Sequence, residues 1–306
     1  MEQNKDKTIN RQNLTKRRLV LFVLFSIVLG WICFFLIPLL DLSYGEGLST
    51  AILAGAMFTP TISNLLTRLI TKEGFQKLYL RPNLKGNLKK YLLIFFAPTV
   101  LVYLSCVFYF LIFPHQFDPE LTVLKEILAA GGSAGVPVQS LLMISILQSL
   151  LLGPVINIIP TLGEELGWRG YLLPKLREFF SDPVALVITG VIWGIWHAPV
   201  IAIGHNYGTD YPGYPWLGIL AMIVFCVTLG IIEGYATIKL DSAVPAAMIH
   251  STVNATAALP IYLAKSGYNP ILGPAITGLV GGLPLMIVAV ALLVIVIRSK
   301  SVTSPS

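Results

Sequence analysis

Long apolar stretches that carry almost no charge are the feature that most restricts what this chain can fold into. A helix that crosses a bilayer needs about 20 mainly apolar residues, and such stretches recur along the sequence. Charged residues make up only 12% of the 306 residues, about half of the roughly 25% found in soluble domains. We therefore predict an all-α fold, a polytopic membrane helix bundle with about eight transmembrane helices.

The apolar stretches set the boundaries of the predicted spans. In chain order these are 19–40, 49–70, 91–113, 138–161, 183–204, 216–238, 244–264 and 277–297. We expect the fourth helix to continue beyond its apolar part to the basic segment near Lys175, with a bend at Pro160 and Gly163. A basic cytoplasmic tail, residues 1–18, would precede a single membrane domain, residues 19–298.

The lysines and arginines indicate the orientation of the chain. All of them except Lys125 and Lys265 fall in the tails, in the even-numbered connections between predicted spans or at the adjoining helix ends. Because basic loops remain on the cytoplasmic side, we predict that both termini are cytoplasmic, and we expect a bacterial plasma membrane. The net charge of +6 then reflects topology and an attraction to anionic lipids, and we expect no nucleic-acid partner.

Ionisable side chains within predicted spans are costly in a bilayer and usually functional. The first such group is Glu164, Glu165 and Arg169. Glu165 and Arg169 are four residues apart, so they share a helix face and can pair. Glu164 points away from that face and can remain free for proton chemistry. The alternative is an ordinary cluster of charges at a helix end.

Two further segments carry histidines in other spans. Trp193 precedes His197 by four residues, and His250 precedes Asn254 by four residues. Residues with this spacing lie on one face of a helix. A single histidine in a span is often only a packed side chain, but two of them together with a carboxylate pair indicate a functional site.

The depth of these residues tests whether they can meet. With a rise of 1.5 Å per residue, Glu164, His197 and His250 lie at similar depths between the cytoplasmic boundary and the middle of the bilayer. We therefore expect three helices to bring them together. Glu233 lies in the same half of the membrane, as a further member of the site, as a partner of Arg169, or as a residue near enough to the helix end to reach water.

These three segments resemble the motifs of the CAAX-protease and bacteriocin-processing family of intramembrane endopeptidases, also called the Abi family. That family carries Glu-Glu-x-x-x-Arg, then aromatic-x-x-x-His, then His-x-x-x-Asn/Asp, each in a separate helix. The resemblance covers about residues 150–257, and its one variation is Trp193, where Phe is commoner. It implies hydrolysis of a peptide bond in a membrane-associated or lipidated substrate.

The resemblance also implies roles for individual residues. Glu164 would be the general base that takes a proton from water, with help from His197. His250 and Asn254 would polarise the carbonyl group and hold the oxyanion. The residues that would support and orient this catalytic group are Glu165, Arg169 and Trp193.

The residues themselves leave the question of a metal open. Two histidines and a glutamate form a common catalytic zinc set, so zinc or another divalent metal could be held by Glu164, His197 and His250. The resemblance favours a mechanism based on glutamate without a metal, and we expect no cofactor.

Two other classes of function are compatible with the sequence. One is a non-catalytic bacteriocin self-immunity or scaffold protein of the same fold. The other is a proton-coupled transporter in which the buried Glu, His and Arg form a relay. Every position of the proposed catalytic set is filled, which favours the peptidase over the first alternative. The two halves of the chain show no convincing inverted repeat, and the ionisable residues crowd into the second half, which argues against the transporter.

Overall fold

The computed structural model describes residues 2–130 and 137–301, with side chains for 11–129 and 137–299. The described part of the chain is helical and contains no β-strand. The helices, in chain order, are α1 (Glu2–Leu39), α2 (Gly47–Ala56), α3 (Thr59–Ile70), α4 (Leu88–Ile112), α5 (Thr122–Ala130), α6 (Val138–Ile156), α7 (Ile158–Gly167), α8 (Leu173–Leu176), α9 (Asp182–Trp196), α10 (Ala198–Ile201), α11 (Trp216–Leu240), α12 (Val244–Thr256), α13 (Leu259–Tyr262) and α14 (Leu283–Ser301). The predicted all-α class is confirmed.

Four helices of the described chain are long and apolar enough to cross a membrane. They are the 11–39 part of α1, then α4, α6 and α11, which correspond to the first, third, fourth and sixth predicted spans. The α9 and α14 segments are apolar but shorter. The second and seventh predicted spans are each broken into two helices, α2 with α3 and α12 with α13. The membrane character is therefore supported, whereas the total of eight spans stays a prediction.

The fourth predicted span has a break, but one turn earlier than we expected. The helix is interrupted at Asn157, between α6 and α7, and then runs through Pro160 and Gly163. The predicted bend at those two residues is wrong because Pro160 lies in the first turn of α7, where a missing N–H costs nothing. Ser251 on α12 bridges the break, since its Oγ accepts from the Asn157 N–H at 3.0 Å and donates to the Gly153 carbonyl at 2.7 Å.

Beyond this break the chain stays helical past Arg169, as predicted. A π-helical segment, Trp168–Leu172, joins α7 to α8. Such π segments are rare and often occur at functional sites. This π segment contains Arg169 and directly follows α7, which carries Glu164 and Glu165.

Helix α9, which leads to His197, packs closely on α11, which carries Glu233. A Cβ atom at Gly190 would lie 2.5 Å from Cα of Val227, and one at Gly194 would lie 2.6 Å from Cα of Ile223. Real Cβ atoms do not approach backbone atoms this closely, so glycine is required at both positions. The absence of side chains allows α9, which leads to His197, to lie directly against α11.

A charged cluster anchors the end of the π segment to the neighbouring loop. Glu73 accepts from Lys175 at 2.7 Å and from the Tyr171 hydroxyl at 2.8 Å, and it pairs with Arg18 at 3.2 Å. Burial opposes the ionisation of Glu73, but the hydrogen bonds from Lys175 and Tyr171 and the positive charges of Lys175 and Arg18 together outweigh it and hold the pKa of this carboxyl below its usual value. These contacts link α1, the loop after α3 and the segment that follows Arg169 to one another.

Candidate active site

Glu164 occupies a buried position at the edge of a cavity. Its side chain is only 2% exposed. The Oε2 atom accepts hydrogen bonds from two indole N–H groups, that of Trp193 at 2.8 Å and that of Trp168 at 3.3 Å. Both donors hold the same oxygen, so neither indole engages Oε1. A buried carboxylate held in this way is oriented and still has an oxygen available for a further partner.

Behind Glu164 lies a network of three fully buried charges. Nη1 of Arg169 donates to Oε1 of Glu165 at 2.9 Å, which confirms the predicted pair. Nη2 of Arg169 lies 2.5 Å from Oε2 of Glu233, an ion pair without the alignment of a hydrogen bond. The guanidinium also stacks over the Trp193 ring at 4.3 Å.

This network decides among the alternatives for Glu233. The side chain is 0% exposed, so the interpretation that it reaches water at the helix end is wrong. Glu233 is the second carboxylate partner of Arg169. The planar guanidinium suits such a position because its several N–H donors can serve two carboxylates at once.

Each histidine of the motifs is fixed through its Nδ1 atom. Nδ1 of His250 lies 3.0 Å from Oε1 of Glu165, and Nδ1 of His197 lies 2.9 Å from the Trp193 carbonyl oxygen. An ionised carboxylate and a carbonyl oxygen only accept hydrogen bonds, so Nδ1 carries the proton in both rings. This arrangement leaves Nε2 of both histidines for other partners.

The proposed catalytic residues line one cavity of about 360 Å³. It is shared by Glu164, His197, His250 and Asn254, which come from α7, from the α9–α10 junction and from α12. The structure thus brings these four residues together. Asn254 is exposed, whereas the two histidines are buried. Glu165 and Arg169 do not line the cavity and lie in the layer behind it.

The structure adds residues that we did not predict for the site. Trp168 holds Glu164 and is four residues from it, a helical spacing that could have revealed the contact. His205, which directly follows the fifth predicted span, also lines the cavity. Its ring lies 6.3 Å from that of His197 and nearly parallel to it, and the Tyr44 hydroxyl bonds its Nδ1. No sequence spacing indicates the position of His205, because it depends on how the loop after α10 folds back.

The positions of the possible ligand atoms can be compared with the close clustering that a metal ion requires. Among the described residues, the ligand atoms that lie within 4.8 Å of one another belong to Glu165, Glu233 and His250. The Arg169 guanidinium already pairs with both of these carboxylates, so a divalent cation would be placed against a buried positive charge. This set does not fit a metal. The set that we named from the sequence, Glu164, His197 and His250, shares the cavity but is not clustered this closely.

The fold and the site together define a class, that of helical membrane proteins with a polar site built from Glu, His and Arg on separate helices. Comparison with known proteins shows what the central region is similar to. Residues 145–256 match the family model described as "Type II CAAX prenyl endopeptidase Rce1-like". These residues include all three motifs, so the resemblance to the CAAX-protease and bacteriocin-processing family is confirmed.

A curated relative matches part of the same chain. Over 93 residues, 30% of this chain, the sequence is 31% identical to a protein named "CAAX prenyl protease 2" from Methanococcus maripaludis. The match covers 34% of that relative, so the chain spans about a third of its length.

Proposed function

We propose that this protein is an intramembrane endopeptidase that hydrolyses a peptide bond of a membrane-associated or lipidated substrate. The observation that carries the proposal is the single cavity that Glu164, His197, His250 and Asn254 line together. The family match over residues 145–256 supports it. A peptide segment that enters the cavity would meet a carboxylate, two imidazoles and an amide together.

Glu164 is the general base in this proposal. Its Oε2 is held by the indoles of Trp168 and Trp193, so the other oxygen can accept a proton from a water molecule in the cavity. In neutral His197, Nδ1 carries the proton and Nε2 is an acceptor. His197 can therefore help to orient the same water molecule. A positioned base of this kind accelerates hydrolysis by roughly 10²–10⁴-fold.

His250 and Asn254 would stabilise the oxyanion. They lie one turn apart on α12 and line the same cavity. In the imidazolium form of His250, which carries a proton on each ring nitrogen, its Nε2–H group and the amide N–H of Asn254 can point at one oxygen atom. Preorganised donors of this type are usually a large part of catalysis. Glu165 fixes the ring of His250, and Arg169 with Glu233 fixes Glu165, which gives these three residues a supporting role.

The donor geometry supports a mechanism without a metal. We expect activity to persist in the presence of a chelator, because the proposed base and oxyanion donors are all protein groups. Loss of activity in the chelator that zinc restores would contradict this part of the proposal. Zinc or another divalent ion at Glu164, His197 and His250 would then be the better interpretation.

We also propose the topology from which the site would act. The protein would lie in a cell membrane with eight spans and both termini in the cytoplasm. This topology can be tested with two variants that lack the three native cysteines, one with Lys85→Cys and the other with Lys265→Cys. We expect a membrane-impermeant thiol reagent to label Lys265→Cys from outside intact cells. Lys85→Cys should react only after the cells are opened, and labelling of both from the same side would contradict the topology.

The experiment that tests the activity uses purified protein with lipidated and unlipidated peptide libraries and mass spectrometry of the products. We expect Glu164→Gln, His197→Ala and His250→Ala each to lower cleavage by at least about 10²-fold while the helical content is unchanged. His115→Ala is the matched control, because His115 is exposed and lies outside the cavity.

Full cleavage by the three cavity variants would show that the polar cluster is structural. Loss of cleavage in His115→Ala to the same extent would show that the effect is not local to the cavity. If the variants also kept a protective effect against a bacteriocin in cells, the self-immunity or scaffold interpretation would replace the peptidase.

A further inference from the structure

A second cavity, of about 410 Å³, lies between α4, α11, α12 and α14. Its volume falls within the roughly 300–1,000 Å³ typical of ligand sites. Most of the side chains that line it are apolar. The aliphatic part is formed by Leu93, Ile94, Leu101, Leu229, Ile232, Ile249, Val253, Leu285, Val288 and Leu292.

Two basic side chains also line this cavity. Lys90, in the first turn of α4, and Lys239, in the last turn of α11, both line it. Nζ of Lys239 lies 5.5 Å from the centre of the Tyr235 ring. Among the side chains that the structure describes, neither ammonium group forms an ion pair with a carboxylate. The two positive charges are thus available to an anion.

We propose that this cavity binds an anionic phospholipid of the surrounding bilayer, with one acyl chain against the aliphatic side chains and the phosphate between Lys90 and Lys239. Basic pockets between membrane helices bind lipids of this kind because hydrocarbon and phosphate are satisfied together. Nζ of Lys90 donates to Oδ1 of Asn87 at 2.9 Å, a neutral partner. Because no described carboxylate neutralises Lys90 or Lys239, the two lysines favour a headgroup with net negative charge over a zwitterionic one.

The position of the cavity gives the bound lipid a structural consequence. Leu229 and Val253 line both this cavity and the one that contains Glu164, so they form a shared wall. A lipid chain on one side of that wall packs against α11 and α12, the helices that carry Glu233 and His250. The lipid therefore supports the helices of the polar site without entering it.

Lipid binding can be measured without any peptidase activity, so its outcome is independent of the proposed function. We would titrate the purified protein in neutral detergent with phosphatidylglycerol or phosphatidylcholine and count bound lipid by native mass spectrometry. We expect one phosphatidylglycerol to bind more tightly than phosphatidylcholine. The variant Lys90→Gln with Lys239→Gln should weaken the binding of phosphatidylglycerol roughly 30-fold, as expected for two lysines that contact an anionic headgroup.

A matched control is available in the same basic segment. Lys85→Gln with Lys89→Gln removes two exposed charges that do not line the cavity, and it should keep the wild-type affinity. Ala97→Phe, which fills the apolar part, should abolish binding while both lysines remain. Equal weakening by both double variants, or equal binding of the two lipids by the wild type, would overturn the proposal. Displacement of phosphatidylglycerol by a prenylated peptide would overturn it too, because the cavity would then belong to a substrate.

Discussion

Replacement of Arg169 by Gln tests the network behind the cavity most directly. Arg169 is the cation for two carboxylates, Glu165 and Glu233, and all three side chains are fully buried. Removal of the guanidinium leaves these carboxylates without their positive partner in a region that water does not reach. We expect Arg169→Gln to destabilise the protein strongly and to disturb the position of His250, which is held by Glu165.

The magnitude follows from what the guanidinium contacts. Removal of one partner of a buried ion pair costs about 3–5 kcal/mol, and the cation–π contact with Trp193 adds about 0.5–2 kcal/mol. We therefore expect a loss of about 3.5–7 kcal/mol in the free energy of unfolding. At roughly 2–4 °C per kcal/mol, the midpoint of thermal unfolding should fall by about 7–28 °C.

The assay is thermal unfolding of purified protein in detergent, followed by tryptophan fluorescence. Arg169→Gln combined with Glu233→Gln should recover about 2 kcal/mol relative to the single variant, because it leaves one buried carboxylate instead of two. Arg177→Gln is the control, since Arg177 pairs with Asp182 in a partly exposed bridge worth less than about 1 kcal/mol. The reasoning fails if Arg169→Gln costs no more than Arg177→Gln, or if the double variant is no more stable than the single one.

Three further substitutions have defined outcomes. Trp193→Phe keeps an aromatic side chain but removes the N–H that holds Glu164 at 2.8 Å, so cleavage should slow by at least about tenfold. Unchanged kinetics would show that this N–H has no part in the mechanism. Gly190→Ala places a Cβ 2.5 Å from Cα of Val227 and should cost about 1–3 kcal/mol in thermal unfolding, whereas no loss would show that α9 and α11 can separate freely. The folded pKa of Glu73 is lowered, so its stabilising contribution is complete above its usual pKa near 4.5 and is lost as the pH falls through the lower folded pKa. Wild-type protein should therefore lose more stability than Glu73→Gln when the pH falls below about 4.5, and parallel curves would contradict this.

Spacing within a helix accounts for the part of the site that could be predicted from the sequence. Residues four apart lie on one face, so the pair of Glu165 with Arg169 followed from the sequence, and so did the placement of His250 and Asn254 on a common surface. The expectation that three helices bring Glu164, His197 and His250 together is met, because these residues line one cavity. These inferences need only the helical rise and the direction of each side chain.

Contacts between helices could not be obtained in this way. Glu233 pairs with Arg169 because α11 lies against the π segment, and the sequence left this as one of three alternatives. The helix break at Asn157 was missed because Pro160 and Gly163 are stronger breakers in sequence, whereas the break depends on Ser251 of another helix. When another helix supplies the contacting residue, the local sequence contains no periodic pattern that predicts the contact.

The same argument explains why two adjacent glutamates can have different roles. Successive residues on a helix point about 100° apart, so one carboxylate of such a pair can face a cavity while the other faces the protein interior. Glu164 lines the cavity and is held by two neutral N–H donors. Glu165 lies behind it and already serves Arg169 and His250. A carboxylate engaged by a guanidinium and an imidazole is a poor proton acceptor, and this supports Glu164 as the base and Glu165 as the residue that holds His250 in place.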